Sequence, residues 1–161
     1  MIMLVDAMVL IDLEYVGGIS LLPQIGATEV MDVVLAECIH PSQPLLESHV
    51  RAAGISVIRS QTEWLFEALA LKTDALSAQD SLNLFYARTF GRTLLTNEKA
   101  LRQMCERLCV RAHGTLWLIE QAFTGNLLPA AELCRWLRAL PEFGRRLPRT
   151  ETHRLSRLLG C

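Results

Sequence analysis

The sequence has little that would send it into a membrane or draw it to a polyanion. No apolar run approaches the ~18 residues that a membrane-crossing helix needs, although 51% of the chain is hydrophobic. The opening MIMLVDAMVLIDLEYV lacks a basic leader and is interrupted by Asp6, Asp12 and Glu14, so it does not read as a signal peptide. A formal net charge of −1 gives the whole molecule no electrostatic pull on nucleic acid. There is no GxxxxGK[ST] loop for a nucleotide's phosphates. The four histidines (His40, His49, His113 and His153) are scattered and none lies in a nucleophile motif, which sets aside Ser/His/Asp and Cys/His chemistry. Five cysteines, an odd number, are expected as free thiols in a reducing, cytoplasmic compartment. Cys105, Cys109 and His113 would share one face of a continuous helix. A strand is expected through Val110 and Arg111, however, and no fourth ligand is evident, so these cysteines read as core thiols.

What is present suits one domain over residues 1–161 with a substantial core. Ile2-Met3-Leu4-Val5 predicts a buried strand, and Val9, Leu10, Leu13 and Val16 a helical face stopped at Gly17-Gly18. Further strands are expected at 28–31, 55–58, 93–95 and 108–110. Helices are expected from Asp32 toward Pro41, over 42–53, from Thr62, over 77–90, over 101–108, over 115–124, after Pro129 and over 150–159. Strand and helix signals alternate for two thirds of the chain and helices follow. The pattern predicts an α/β fold with a parallel or mostly parallel sheet.

Charge is unevenly spread. Residues 1–134 carry 9 Lys/Arg against 15 Asp/Glu, whereas 135–161 carry 7 Arg against Glu142 and Glu151. That arginine-rich tail either contacts phosphates, with Arg145, Arg146 and Arg149 as candidates for RNA or partner contact, or forms a solvated face or subunit contact.

The chemistry concentrates in LSAQDSLNLFYARTFGRTLLTNEKAL, residues 76–101. Ser77 is suited to cap a helix with Asp80 in its first turn, Gly91 to end it, and Thr96 to cap the next helix with Asn97 and Glu98 at its start. Asp6 likewise follows a buried strand at a helix mouth, where its charge must be met by helix N–H groups, a cation or water. Glu37 lies inside an apolar helix, either on the solvent face or directed at a site. Acids at helix entrances can converge beyond the carboxyl ends of parallel strands.

Four segments in order, LVDAMVLIDL (4–13), VVLAECI (33–39), LSAQDSLNLFYA (76–87) and LLTNEKAL (94–101), resemble the PIN domain family of prokaryotic nucleases, which includes the toxins of VapBC-type toxin–antitoxin pairs. The helical stretch GTLWLIEQAFTGNLLPAAELCRWL also resembles that family's C-terminal helices. The resemblance implies a three-layer α/β/α sandwich, with an acidic core at about 1–128 and an Arg-rich helical extension at about 129–161. It implies that Asp6, Glu37, Asp80 and Glu98 form an acidic cluster, supported by Thr96 and Asn97. Asp6, Asp80 and Glu98 would then hold Mg²⁺ or Mn²⁺, with Glu37 completing the pocket directly or through water. Hard divalent cations prefer oxygen ligands and supply both an activated water and phosphate neutralisation. Without the cation, one or more of the crowded carboxylates should have a raised pKa.

The implied activity is a divalent-metal-dependent endoribonuclease, in the setting of a toxin held by a small antitoxin. The alternative is a catalytically weak or inactive PIN-like binding or interaction module. Two departures bear on that choice: Met8 stands where the family usually has Asn, Ser or Thr, and Glu98 where it usually has Asp. The apolar helices at 62–71 and 115–124 add the expectation of a homodimer.

Overall fold

A computed structural model describes residues 1–161. Five strands form one sheet: β1 (Ile2–Val5), β2 (Ala27–Met31), β3 (Ser56–Ile58), β4 (Thr93–Leu95) and β5 (Ala112–His113). Their order is β3-β2-β1-β4-β5 and every neighbouring pair is parallel. The central strand is apolar on both faces because both are covered: Met3, Leu4 and Val5 are fully buried.

Right-handed crossovers decide where the helices go. From β1 the chain steps outward to β2 and β3 through α1 (Ala7–Val16), the short α2 (Leu22–Ile25), α3 (Asp32–Glu37) and α4 (Leu46–Ala52). It then returns across β1 and steps the other way to β4 and β5 through α5 (Thr62–Leu69), α6 (Ala78–Phe90) and α7 (Lys99–Arg107). Reversing the direction of travel puts the two helix sets on opposite faces. Accordingly α1 packs with α3 and α4, while α6 packs with α5 and α7. The strand order reverses between β1 and β4, the place where sites in open α/β sheets form.

Three further helices complete the chain: α8 (Thr115–Thr124), α9 (Ala130–Glu142) and α10 (Arg149–Leu159). They pack on one another, and α8 and α9 pack on α1. At that contact Gly18 lies under the buried Trp136 ring, where a Cβ would fall 2.5 Å from Cη2. The buried apolar residues of sheet and helices form one cluster of 39.

Several sequence expectations shift. The last strand is at 112–113 rather than 108–110, because Cys109 takes a left-handed conformation (φ 56°) that ends the α7 segment and delays pairing. That turn also separates Cys109 from the helix bearing Cys105, so no cysteine–histidine face forms. The helix expected over 42–53 begins only at Leu46. At the end of α8 it is Asn126 (φ 56°), not Gly125 (φ −82°), that adopts the left-handed turn. Cys134 and Cys161 are joined by a disulfide that ties the end of α10 back to α9, so the expectation of five free thiols is corrected; Cys38, Cys105 and Cys109 remain free. No single helix is long and apolar enough to cross a membrane.

Candidate active site at the ends of β1 and β4

Asp6 follows β1 directly and is the N-cap of α1. Its backbone N–H donates to Leu95 O at 2.9 Å, which binds the exits of β1 and β4 together. The carboxylate is 4% exposed. Oδ1 accepts from the Ala7 N–H at 2.8 Å and from Asn83 Nδ2 at 3.3 Å, and Oδ2 accepts from Thr96 Oγ1 at 2.9 Å. Burial nonetheless pushes its pKa up to about 6. The Thr96 hydroxyl and the Ala7 N–H oppose that rise, while the charges of Asp80 and Glu37 add to it.

Asp80 enters from the first turn of α6, where Ser77 and Asp80 form a reciprocal capping box. The Asp80 N–H donates to Ser77 Oγ at 3.0 Å and the Ser77 N–H to Asp80 Oδ2 at 2.9 Å. Glu37 is the last residue of α3 and is exposed. Partial burial raises its pKa, and the Asp80 charge raises it further. Asp6, Asp80 and Glu37 therefore share one electrostatic neighbourhood. Cys38 belongs to it too: burial, then the charges of Asp6 and Glu37, drive its thiol up to about 12.

Glu98 is the last of the four acids along the chain. It is exposed at the N-cap of α7, and it is its backbone N–H that turns inward, donating to Thr96 Oγ1 at 3.1 Å. Thr96, fully buried, thus links the Glu98 backbone to the Asp6 carboxylate. Asn97 faces a different acid. Its Nδ2 donates to Asp12 Oδ2 at 2.7 Å and to Thr115 Oγ1 at 2.8 Å, and its Oδ1 accepts from the Thr115 N–H at 3.0 Å.

Asp12, 2% exposed, also takes the Thr115 hydroxyl at 2.7 Å and an ion pair with Arg145. Arg145 Nη2 reaches Met8 Sδ at 3.4 Å. The arginine named as an RNA candidate is thus engaged inside the fold, and the position where the family usually has a small polar side chain is where that arginine rests. Arg146 and Arg149 are exposed.

Asn83 went unrecognised in the sequence. It lies three residues after Asp80 on the same helix face, a spacing that could have flagged it. It is fully buried, and its Oδ1 has no hydrogen-bond partner. An orphaned buried carbonyl beside a buried carboxylate is a polar pocket with capacity to spare.

The donor set of Asp6, Asp80 and Glu37 is all hard oxygen, which fits Mg²⁺ or Mn²⁺. No three His, Cys, Asp or Glu side chains stand close enough to enclose an ion. Mg²⁺ keeps several waters and can be held by one or two carboxylates.

Comparisons with known proteins bear on the family and the fold. A family model described as DUF3368: PIN domain matches residues 2–160. No curated protein matches the chain. Among solved structures, the fold is similar to the crystal structure of PAE2754 from Pyrobaculum aerophilum, with a TM-score of 0.56 and 16% identity over 76% of this chain and 98% of that one. PIN domains are commonly nucleases and typically use divalent metals. With nearly its whole length matched by the family model, the chain belongs to the PIN domain family.

Proposed function

We propose that this protein is a divalent-metal-dependent endoribonuclease. The observation that carries the reading is the electrostatic neighbourhood of Asp6, Asp80 and Glu37 at the β1/β4 switch point, with the buried Asp6 raised to about 6. Burial is the main cause of that rise, and the charges of Asp80 and Glu37, acids from two other segments, add to it. Bound Mg²⁺ or Mn²⁺ would lower the pKa of a water and neutralise charge on the phosphate.

The chain's own residues prepare the place. Thr96 and the Ala7 N–H orient the Asp6 carboxylate, and the capping box fixes Asp80 with Oδ1 left over. Glu37 is exposed at the end of α3 and Glu98 at the start of α7. A role as the toxin of a pair with a small antitoxin follows from the family resemblance. A homodimer is supported by Leu65, Phe66 and Leu69, which leave an apolar face exposed on α5. The other apolar helix, α8, has Leu118, Ile119 and Ala122 fully buried and does not contribute.

A second reading, a PIN-like module that binds without cutting, is favoured by Met8 resting against Arg145 and by Glu98 standing where the family usually has Asp. Calorimetric titration with Mn²⁺ run beside a cleavage assay on single-stranded RNA separates the two. Metal uptake with cleavage supports the nuclease; metal uptake with no cleavage of any RNA offered supports the module.

A further inference from the structure

Beyond β5 the surface opens into a cavity of about 220 Å³ that Asp6, Glu37, Asp80 and Glu98 do not line. Its walls include the His113 and Trp117 rings, stacked at 4.2 Å between centroids and 8° from parallel. Both rings are half-buried, so the stack is held in place yet reachable. Burial, then the nearby charges of Arg102 and Arg111, lower the His113 pKa.

Two arginines, Arg102 and Arg154, and two glutamates, Glu120 and Glu151, line the cavity. Arg154 is spent on Glu120 and Glu151. Arg102 forms no ion pair. Its Nη1 would lie 3.1 Å from a Cβ at Gly114, the N-cap of α8, where the helix dipole adds positive potential. A flat π surface beside an unspent guanidinium suits a ligand with an aromatic ring and a phosphate.

The cavity is tied to the acidic site through the chain at residues 96–97. Asn97 lines it, while Thr96, whose Cα lies ~3.8 Å away along the chain, holds Asp6. We propose that this cavity is a nucleotide subsite for single-stranded RNA, taking an unpaired base against the His113–Trp117 stack and its phosphate at Arg102. The assignment rests on the nuclease reading of the acidic site. Stacking requires an unpaired base, so the subsite selects single-stranded over duplex regions.

The test uses the full chain with Asp80→Asn, to prevent turnover, in Mg²⁺ buffer with a short single-stranded RNA carrying 2-aminopurine. Trp117→Ala should weaken binding about fivefold to a hundredfold, the range a lost base stack covers, and Arg102→Ala should also weaken it. With an abasic oligomer of the same length the Trp117→Ala loss should vanish and the Arg102→Ala loss persist. Binding unchanged in both variants, or a Trp117→Ala loss equal on intact and abasic RNA, overturns the subsite. If Trp117→Ala fails to fold, 2-aminopurine decides: quenching on binding that is reduced by Arg102→Ala supports the proposal, and no quenching overturns it. Trp117-dependent binding without cleavage by the unmodified chain sinks the nuclease reading alone; cleavage with Trp117-independent binding sinks the subsite alone.

Discussion

Thr96 Oγ1 donates to Asp6 Oδ2 at 2.9 Å across ninety positions of sequence, and both groups are buried. Neighbouring parallel strands make this possible, since Val5 pairs with Leu95 in register and each chain then turns at the same level. The hydroxyl opposes, without cancelling, the cost of burying the Asp6 charge.

Stability without metal should therefore depend on pH with a defined sign. Asp6 titrates near 3.8 when unfolded and near 6 when folded, so the native state binds more protons between those values. The contribution of protonated Asp6 is fully present below about pH 4 and is lost as pH rises through about 6, a change of about 3 kcal/mol for a shift of this size. Asp6→Asn keeps a side chain able to cap α1 and has no carboxyl to ionise. Denaturant melts in chelator should show that variant more stable than the parent at pH 7.5 by about 1–3 kcal/mol, with a flatter profile between pH 4 and 7. A wild-type profile that rises through this window would contradict the raised Asp6 pKa.

Asp12 and Arg145 join α1 to the segment after α9 through a pair that is 2% and 18% exposed. Removing the arginine leaves a buried carboxylate held only by Asn97 and Thr115. Arg145→Ala should cost about 3 kcal/mol, the lower end for breaking a buried pair, as measured by urea unfolding. The double variant Asp12→Asn/Arg145→Met should recover most of that loss, because no unpaired charge remains.

The Cys134–Cys161 disulfide spans 27 positions and anchors the last residue of the chain. On the chain-entropy account a loop of that length is stabilised by about 3–4 kcal/mol. Cys161→Ser should lower stability by roughly that amount, and a reductant should bring the parent to the same value while leaving the variant unchanged. Equal stability with and without reductant would show that the bridge contributes nothing.

What was legible in the sequence was local. The strand Ile2–Val5, the Ser77 cap with Asp80 in its first turn, the left-handed Gly91 and the strand Thr93–Leu95 each depend on side chains a few residues apart, and each forms where the pattern put it. The parallel sheet followed from alternation alone. Long-range partners were not legible. Nothing near Asp12 announces Arg145, 133 positions on, and nothing near Asn97 reveals that it faces Asp12 rather than Asp6. Asn83 looks like an ordinary polar helix residue until the fold buries it beside Asp6. Helix α3 ends at Glu37 and delivers it toward Asp80, while the turn after β4 points the Glu98 backbone inward. The late β5 was misplaced because a left-handed cysteine is a rare way to end a helix segment.

The most direct test is cleavage of single-stranded RNA by the parent chain and by Asp80→Asn, each in Mn²⁺ and again in excess chelator. Cleavage by the parent in Mn²⁺ alone, reduced about a hundredfold or more in the variant while both melt within about 1 kcal/mol of each other, is the predicted result. Cleavage that persists in chelator, or that Asp80→Asn leaves intact, would contradict a metal-holding acidic site at the ends of β1 and β4.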